Sequence, residues 1–128
     1  MATPSLRSQL GRVRGLGSAR SGTHHWLTQR VTSIALLPLT IWLVFSLASL
    51  AGAGFSEAQV WVARPFNVVL LLAFLGAGFH HTSGGLQVVI EDYVKPDSRR
   101  MIVMLLMKGV CALLWLMASL AVLRVALR

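Results

Sequence analysis

The stretch FNVVLLLAFLGAGFHHTSGGLQVVI, from Phe66 to Ile90, decides the fold. Its 25 residues contain no Asp, Glu, Lys or Arg, and a bilayer core demands only ~20 predominantly apolar residues in a helix. Arg64 stands before it, and Pro65 suits a first helical turn, where the missing N–H costs nothing. Upstream lies a second apolar run, from Val31 to about Ala51, with Pro38 inside it. Proline there predicts a modest kink, which neighbouring membrane helices accommodate. Between these runs, Gly52, Gly54, Ser56 and Glu57 read as a short loop. Downstream, Glu91–Arg100 is a loop with six charges and Pro96, and a third run spans Met101 to about Leu123, followed by Arg124 and Arg128. The reading is all-α: a membrane-spanning three-helix bundle. A basic tail, residues 1–30, precedes a single transmembrane anchor domain, residues 31–128, with spans at about 31–51, 66–90 and 101–123. The first run is too long for a cleavable signal peptide and lacks a small-residue cleavage site.

Composition points the same way. Of 128 residues, 55% are hydrophobic and 12% charged, and the mean hydropathy is +0.70. A soluble domain carries roughly 25% charged residues, so lipid must solvate much of this chain. The net charge of +8 would suggest nucleic acid in a soluble protein. Here the basic residues lie almost wholly outside the apolar runs, so topology explains them and no nucleic-acid partner is expected. The single cysteine, Cys111, lies inside an apolar run, reads as a structural thiol and allows no disulfide within the chain.

Counting Lys and Arg orients the chain. Arg7, Arg12, Arg14, Arg20 and Arg30 in the tail, with Lys95, Arg99 and Arg100 in the second loop, make eight; Arg64, Arg124 and Arg128 make three. This places the N-terminus and second loop in the cytoplasm. Lys108, two turns into the third run, is expected to snorkel back to that side. Trp26 and Tyr93 would mark the cytoplasmic interface and Trp61 the opposite one. Within the tail, Leu6, Leu10 and Val13 recur at helical spacing, which fits a short interfacial helix, although Gly11, Gly15 and Gly17 oppose a long one. An Arg-rich, acid-free segment also describes a mitochondrial transit peptide. The cytoplasmic-tail reading explains orientation as well, and implies a bacterial inner membrane, with the mitochondrial inner membrane as the alternative.

The polar residues inside the spans carry the functional signal. His80 and His81 sit in the second run, and His81 precedes Tyr93 by 12 residues, about 18 Å of helix. That puts His81 well inside the hydrocarbon, where an ionisable group is a functional candidate; the alternative is a neutral histidine bonded to a neighbouring helix. Gly78, Gly84 and Gly85 lie one turn away on the same face. A face cleared of side chains leaves room for a flat group such as haem, for which imidazole is a common axial ligand. Equally, small residues at this spacing pack membrane helices. His24 and His25 precede the first span, some three turns from the depth of His80 and His81. By that measure the pairs cannot face one iron, and a second axial ligand must come from another subunit. Glu91-Asp92-Tyr93 closes the second run. A phenol beside a carboxylate there can donate a hydrogen bond to a quinone carbonyl, or be an interfacial tyrosine among helix-end charges. His24 and Arg30 fit anionic carboxylates such as haem propionates, or belong simply to the basic tail.

The segment His81-Thr82-Ser83-Gly84-Gly85-Leu86-Gln87-Val88-Val89-Ile90-Glu91-Asp92-Tyr93-Val94 resembles the signature of the D-type hydrophobic membrane anchor family of succinate dehydrogenase (respiratory complex II). Gly22-Thr23-His24-His25-Trp26, then Arg30-Val31-Thr32, is similar to the family's approach to its first span, and the likeness covers roughly residues 20–128. It implies a chain paired with a second, C-type membrane anchor subunit, the two together holding an iron–sulfur subunit and a flavoprotein subunit on the bilayer. It implies a shared b-type haem with His81 as axial ligand to the iron, and His24 and Arg30 toward the propionates. Tyr93 would then be the hydrogen-bond donor to ubiquinone, with Asp92 the adjacent acid. His80 is an additional neighbour about 100° round the helix, and Thr82 and Ser83 are smaller than the residues relatives often carry. Such a chain is non-catalytic alone and contributes to quinone reduction as part of a complex; it has no flavin motif, iron–sulfur cysteine cluster or dicarboxylate site of its own. Two other readings compete: a haemless structural anchor, and a small transporter or proton channel using the intramembrane histidines.

Overall fold

The computed structural model describes Leu10 and residues 22–128. The interfacial-helix reading and Arg7, Arg12, Arg14 and Arg20 lie outside the described residues. Among the described residues four helices follow one another: α1 (Gly22–Ser49), α2 (Phe55–Ala63), α3 (Pro65–Tyr93) and α4 (Asp97–Ala126). Three of them, α1, α3 and α4, are long and apolar enough to cross a membrane.

Each spanning helix outruns its apolar run at the polar end. α1 begins at Gly22, nine residues before Val31; α3 continues past Ile90 to Tyr93; α4 starts at Asp97, four residues before Met101. Apolarity marks where lipid must be met, whereas helical hydrogen bonding continues wherever the side chains allow it. In α1 the hydroxyls allow it by bonding back onto their own helix: Thr28 Oγ1 donates to the His24 carbonyl at 2.8 Å and Ser33 Oγ to that of Gln29 at 2.8 Å. At the start of α4, Asp97 places negative charge at the helix N-terminus and pairs with Arg100 at 2.8 Å. α1 continues unbroken through Pro38, and Pro65 occupies the first turn of α3 as its position predicts.

The expected 52–57 loop is shorter than the sequence suggests. The chain turns at Gly52, whose φ of 86° lies in the left-handed region, and α2 starts at Phe55. The Gly54 N–H donates to the Glu57 carboxylate at 2.9 Å, satisfying a donor at the helix start. This nine-residue helix is too short to be stable alone, and two contacts hold it. Trp61 stacks on Trp42 of α1 with centroids 5.7 Å apart, and Asn67 of α3, only 6% exposed, donates Nδ2–H to the Trp61 carbonyl at 2.6 Å.

The helices do not surround a common core. α3 packs against both α1 and α4, and α2 against α3 and α4, while α1 and α4 share no backbone contact. Ile34 and Leu105 are each 73% exposed, and Ile90 is the buried hydrophobic residue among those described. In water such a surface would aggregate; in lipid, where tails are as apolar as leucine, close packing and hydrogen bonds hold the helices instead.

Candidate functional site

Antiparallel packing of α1 on α3 sets the register around the histidines. Thr32 Oγ1 lies 3.1 Å from His81 Nδ1, and Gln29 Nε2 donates to the His81 carbonyl at 3.1 Å. One turn toward the polar end, His25 Nε2 would lie 3.6 Å from a Cβ on Gly84. Levelled against α1, His81 therefore stands beside Thr32, the second residue of the first apolar run, nearer the polar end than the distance to Tyr93 alone suggests. The separation expected between the two histidine pairs fails for the same reason. α1 begins nine residues early, so its polar first turns run alongside α3, and His25 and His80 line one cavity of about 290 Å³ with Gln29, Ser83, Gln87 and Lys108.

The two adjacent histidines have different surroundings. His81 is half-buried against α1. His80 is exposed from α3 into the cleft between α1 and α4, where a further groove runs along Ser83, Lys108, Cys111 and Trp115. Lys108 lies 11 residues into α4 rather than two turns, and lines this cleft. His25 Nε2 is buried without a hydrogen-bond partner among the described residues. Cys111 is half-buried, its thiol 3.9 Å from Met107 Sδ.

Between the two readings of the glycine face, packing prevails. A Cβ on Gly84 would fall 2.5 Å from Gln29 Oε1, and one on Gly78 would meet Leu36 at 3.9 Å. Gly84 and Gly78 of the cleared face thus receive α1.

At the polar end, His24 is exposed and lines a cavity with His25, Thr28, His80 and Glu91. Arg30 lies over the Trp26 ring, 5.4 Å from its centroid, a cation–π contact that leaves guanidinium N–H groups free. His24 and Arg30 are six residues apart and are not brought together. Asp92 is exposed, and Tyr93, the last residue of α3, is 84% exposed. Gln87 donates to Glu91 at 2.8 Å beside them. Sequence reasoning set His25 aside on depth, quoted Thr32 without giving it a role, and missed Gln29 and Asn67. Of the two missed, Asn67 carried a signal, as a lone amide at the start of an apolar run.

These features define a small polytopic membrane subunit, with its polar residues gathered along one central span. The chain belongs to the succinate dehydrogenase/fumarate reductase transmembrane subunit family, whose pattern matches residues 4–122. It is 33% identical over 107 residues to the succinate dehydrogenase hydrophobic membrane anchor subunit of Rickettsia conorii, covering 83% of this chain and 85% of that one. The subunit of the same name from Rickettsia felis is 36% identical over 91 residues, 71% of this chain and 76% of the relative. That of Paracoccus denitrificans is 30% identical over 88 residues, 69% and 68% respectively. Three helices among the described residues are long and apolar enough to cross a membrane, as a transmembrane subunit of this family requires.

Proposed function

We propose that this chain is the D-type anchor of a succinate:ubiquinone oxidoreductase in a bacterial cytoplasmic membrane, with its N-terminus and the 91–100 loop in the cytoplasm. It docks an iron–sulfur subunit and a flavoprotein subunit, pairs with a C-type anchor, and contributes His81 as one axial ligand of a shared b-type haem. The observation that carries this reading is the state of His81: its Nδ1 is engaged by Thr32, and Nε2 has no hydrogen-bond partner among the described residues. An imidazole held at one nitrogen and free at the other has the donor chemistry of an axial ligand, so the residues fit haem. Among the described residues no three His, Cys, Asp or Glu side chains gather around a bare ion, and one histidine suffices where a macrocycle and a second subunit bring the other ligands. Bound haem supplies one-electron storage near the quinone. His24 and Arg30, at the polar end of α1, provide donors for its propionates.

At the cytoplasmic end of α3, the exposed Tyr93 phenol donates a hydrogen bond to a ubiquinone carbonyl, with Asp92 beside it as a proton-relaying carboxylate. The quinone tail rests in lipid. The basic tail, residues 1–30, holds the orientation, and residues 31–128 are the anchor proper.

A tagged chain solubilised in mild detergent should copurify with three different subunits; a lone homo-oligomer would sink the reading in favour of a transporter or channel. In that complex, His81→Ala should abolish the reduced b-type spectrum and His80→Ala should retain it. The reverse would move the ligand to His80, and an unchanged spectrum in both would leave this chain a structural anchor that does not ligate the haem. Tyr93→Phe should impair quinone reduction and spare succinate oxidation by artificial dyes, whereas equal loss of both would remove the tyrosine from the quinone site.

A further inference from the structure

The geometry points to Thr32 as the residue that fixes the tautomer and ring orientation of His81, presenting Nε2 to the haem iron; this rests on His81 being the axial ligand. Thr32 Oγ1 lies 2.9 Å from the Thr28 carbonyl, 3.0 Å from the Gln29 carbonyl and 3.1 Å from His81 Nδ1. A hydroxyl has one proton and two lone pairs. Both carbonyl oxygens can only accept, and they are the nearer partners, so the Thr32 proton is directed at its own helix. Toward the imidazole Thr32 then acts as acceptor. Nδ1 must supply the proton, and Nε2 keeps its lone pair.

The support is built from both sides of the ring. Gln29 Nε2 binds the His81 carbonyl at 3.1 Å, fixing the backbone from which the ring projects, and Gln29 itself seats in the space that Gly84 leaves. Hydrogen bonds to the far nitrogen of a metal-ligating histidine set its orientation and raise its basicity. Thr32 is thus a positioning residue acting through His81. Its methyl group takes no part, so a hydroxyl on a smaller side chain should serve as well.

The test uses the complex purified through the tagged chain, with Thr32→Val, Thr32→Ser and His81→Ala, read by the midpoint potential and low-temperature electron paramagnetic resonance of the b-type haem. Valine has the shape of threonine and no acceptor. Thr32→Val should therefore retain haem, shift its potential upward through weaker electron donation by the imidazole, and alter the low-spin signal; Thr32→Ser should restore both. Potential and signal unchanged in Thr32→Val would overturn the assignment, as would equal shifts in the valine and serine variants, which mark a packing role. Should Thr32→Val lose haem, recovery in Thr32→Ser supports the assignment and loss in both refutes it. His81→Ala separates the levels: if it keeps the haem spectrum, the ligand reading fails, whatever Thr32 does.

Discussion

Gly84 governs how closely α1 approaches α3. A side chain there meets Gln29 Oε1 at 2.5 Å, and Gln29 yields only by giving up its bond to the His81 carbonyl. Gly84→Ala should therefore cost about 1 kcal/mol, the worth of one hydrogen bond. Gly84→Leu, which must part the helices, should cost about 1–3 kcal/mol. Gly109 has open space around it, and Gly109→Ala should be neutral or slightly stabilising. Thermal denaturation of the purified complex in one detergent ranks the three; a Gly109→Ala loss as large as that of Gly84→Ala would contradict the packing role. At this scale the sequence was half legible. Spacing marked the glycines as one face with His81, but whether that face received a helix or a ligand depended on which residue of α1 stood opposite.

α2 shows how little sequence signal a short element needs. Its nine residues have no apolar run of membrane length, and the glycines before it resemble an ordinary loop. What holds it comes from other helices: Trp42 against Trp61, and Asn67 on the Trp61 carbonyl. Asn67→Leu matches the size of the amide but leaves that carbonyl only the long bond from the Arg64 N–H at 3.4 Å, an expected cost of about 1–2 kcal/mol. Hydrogen–deuterium exchange should then rise across residues 55–63 and stay unchanged in the middle of α3; uniform exchange across both would show that Asn67 supports the whole fold instead. The Asn67 signal, an amide among apolar residues, was present in the sequence, but its acceptor six residues upstream was not.

For the whole molecule, three spans put the start of α1 and the 91–100 loop on one side, and the proposed topology sets that Lys- and Arg-rich side in the cytoplasm. In a Cys111→Ser background, Ser98→Cys should react with an impermeant thiol reagent only in inverted vesicles, and Ser56→Cys only in intact spheroplasts. Swapped labelling would reverse the topology. The open cleft on α3, with His80, His25 and Lys108 along it, is polar surface on a helix long and apolar enough to cross a membrane, and unpartnered polar groups in a bilayer are costly. The complex with a second anchor should accordingly resist detergent better than the isolated chain, checked by comparing their denaturation temperatures at one detergent concentration.

The class was legible in the sequence: apolar runs long enough to cross a bilayer, basic residues almost wholly at their flanks, and the His81-to-Tyr93 segment with its family resemblance. Those properties are local, set by each residue's free energy in lipid or water and by helical spacing. Only the tertiary structure decided which residues of α1 meet α3. Hydropathy placed the start of the first helix at Val31, while hydrogen bonding carried it back to Gly22. That difference brought His25 to Gly84 and Gln29 to the His81 carbonyl, while Thr32, already within the expected run, meets Nδ1 through the register of the two helices. Helix register is settled by pairwise packing across two distant segments, which neither segment's own composition contains.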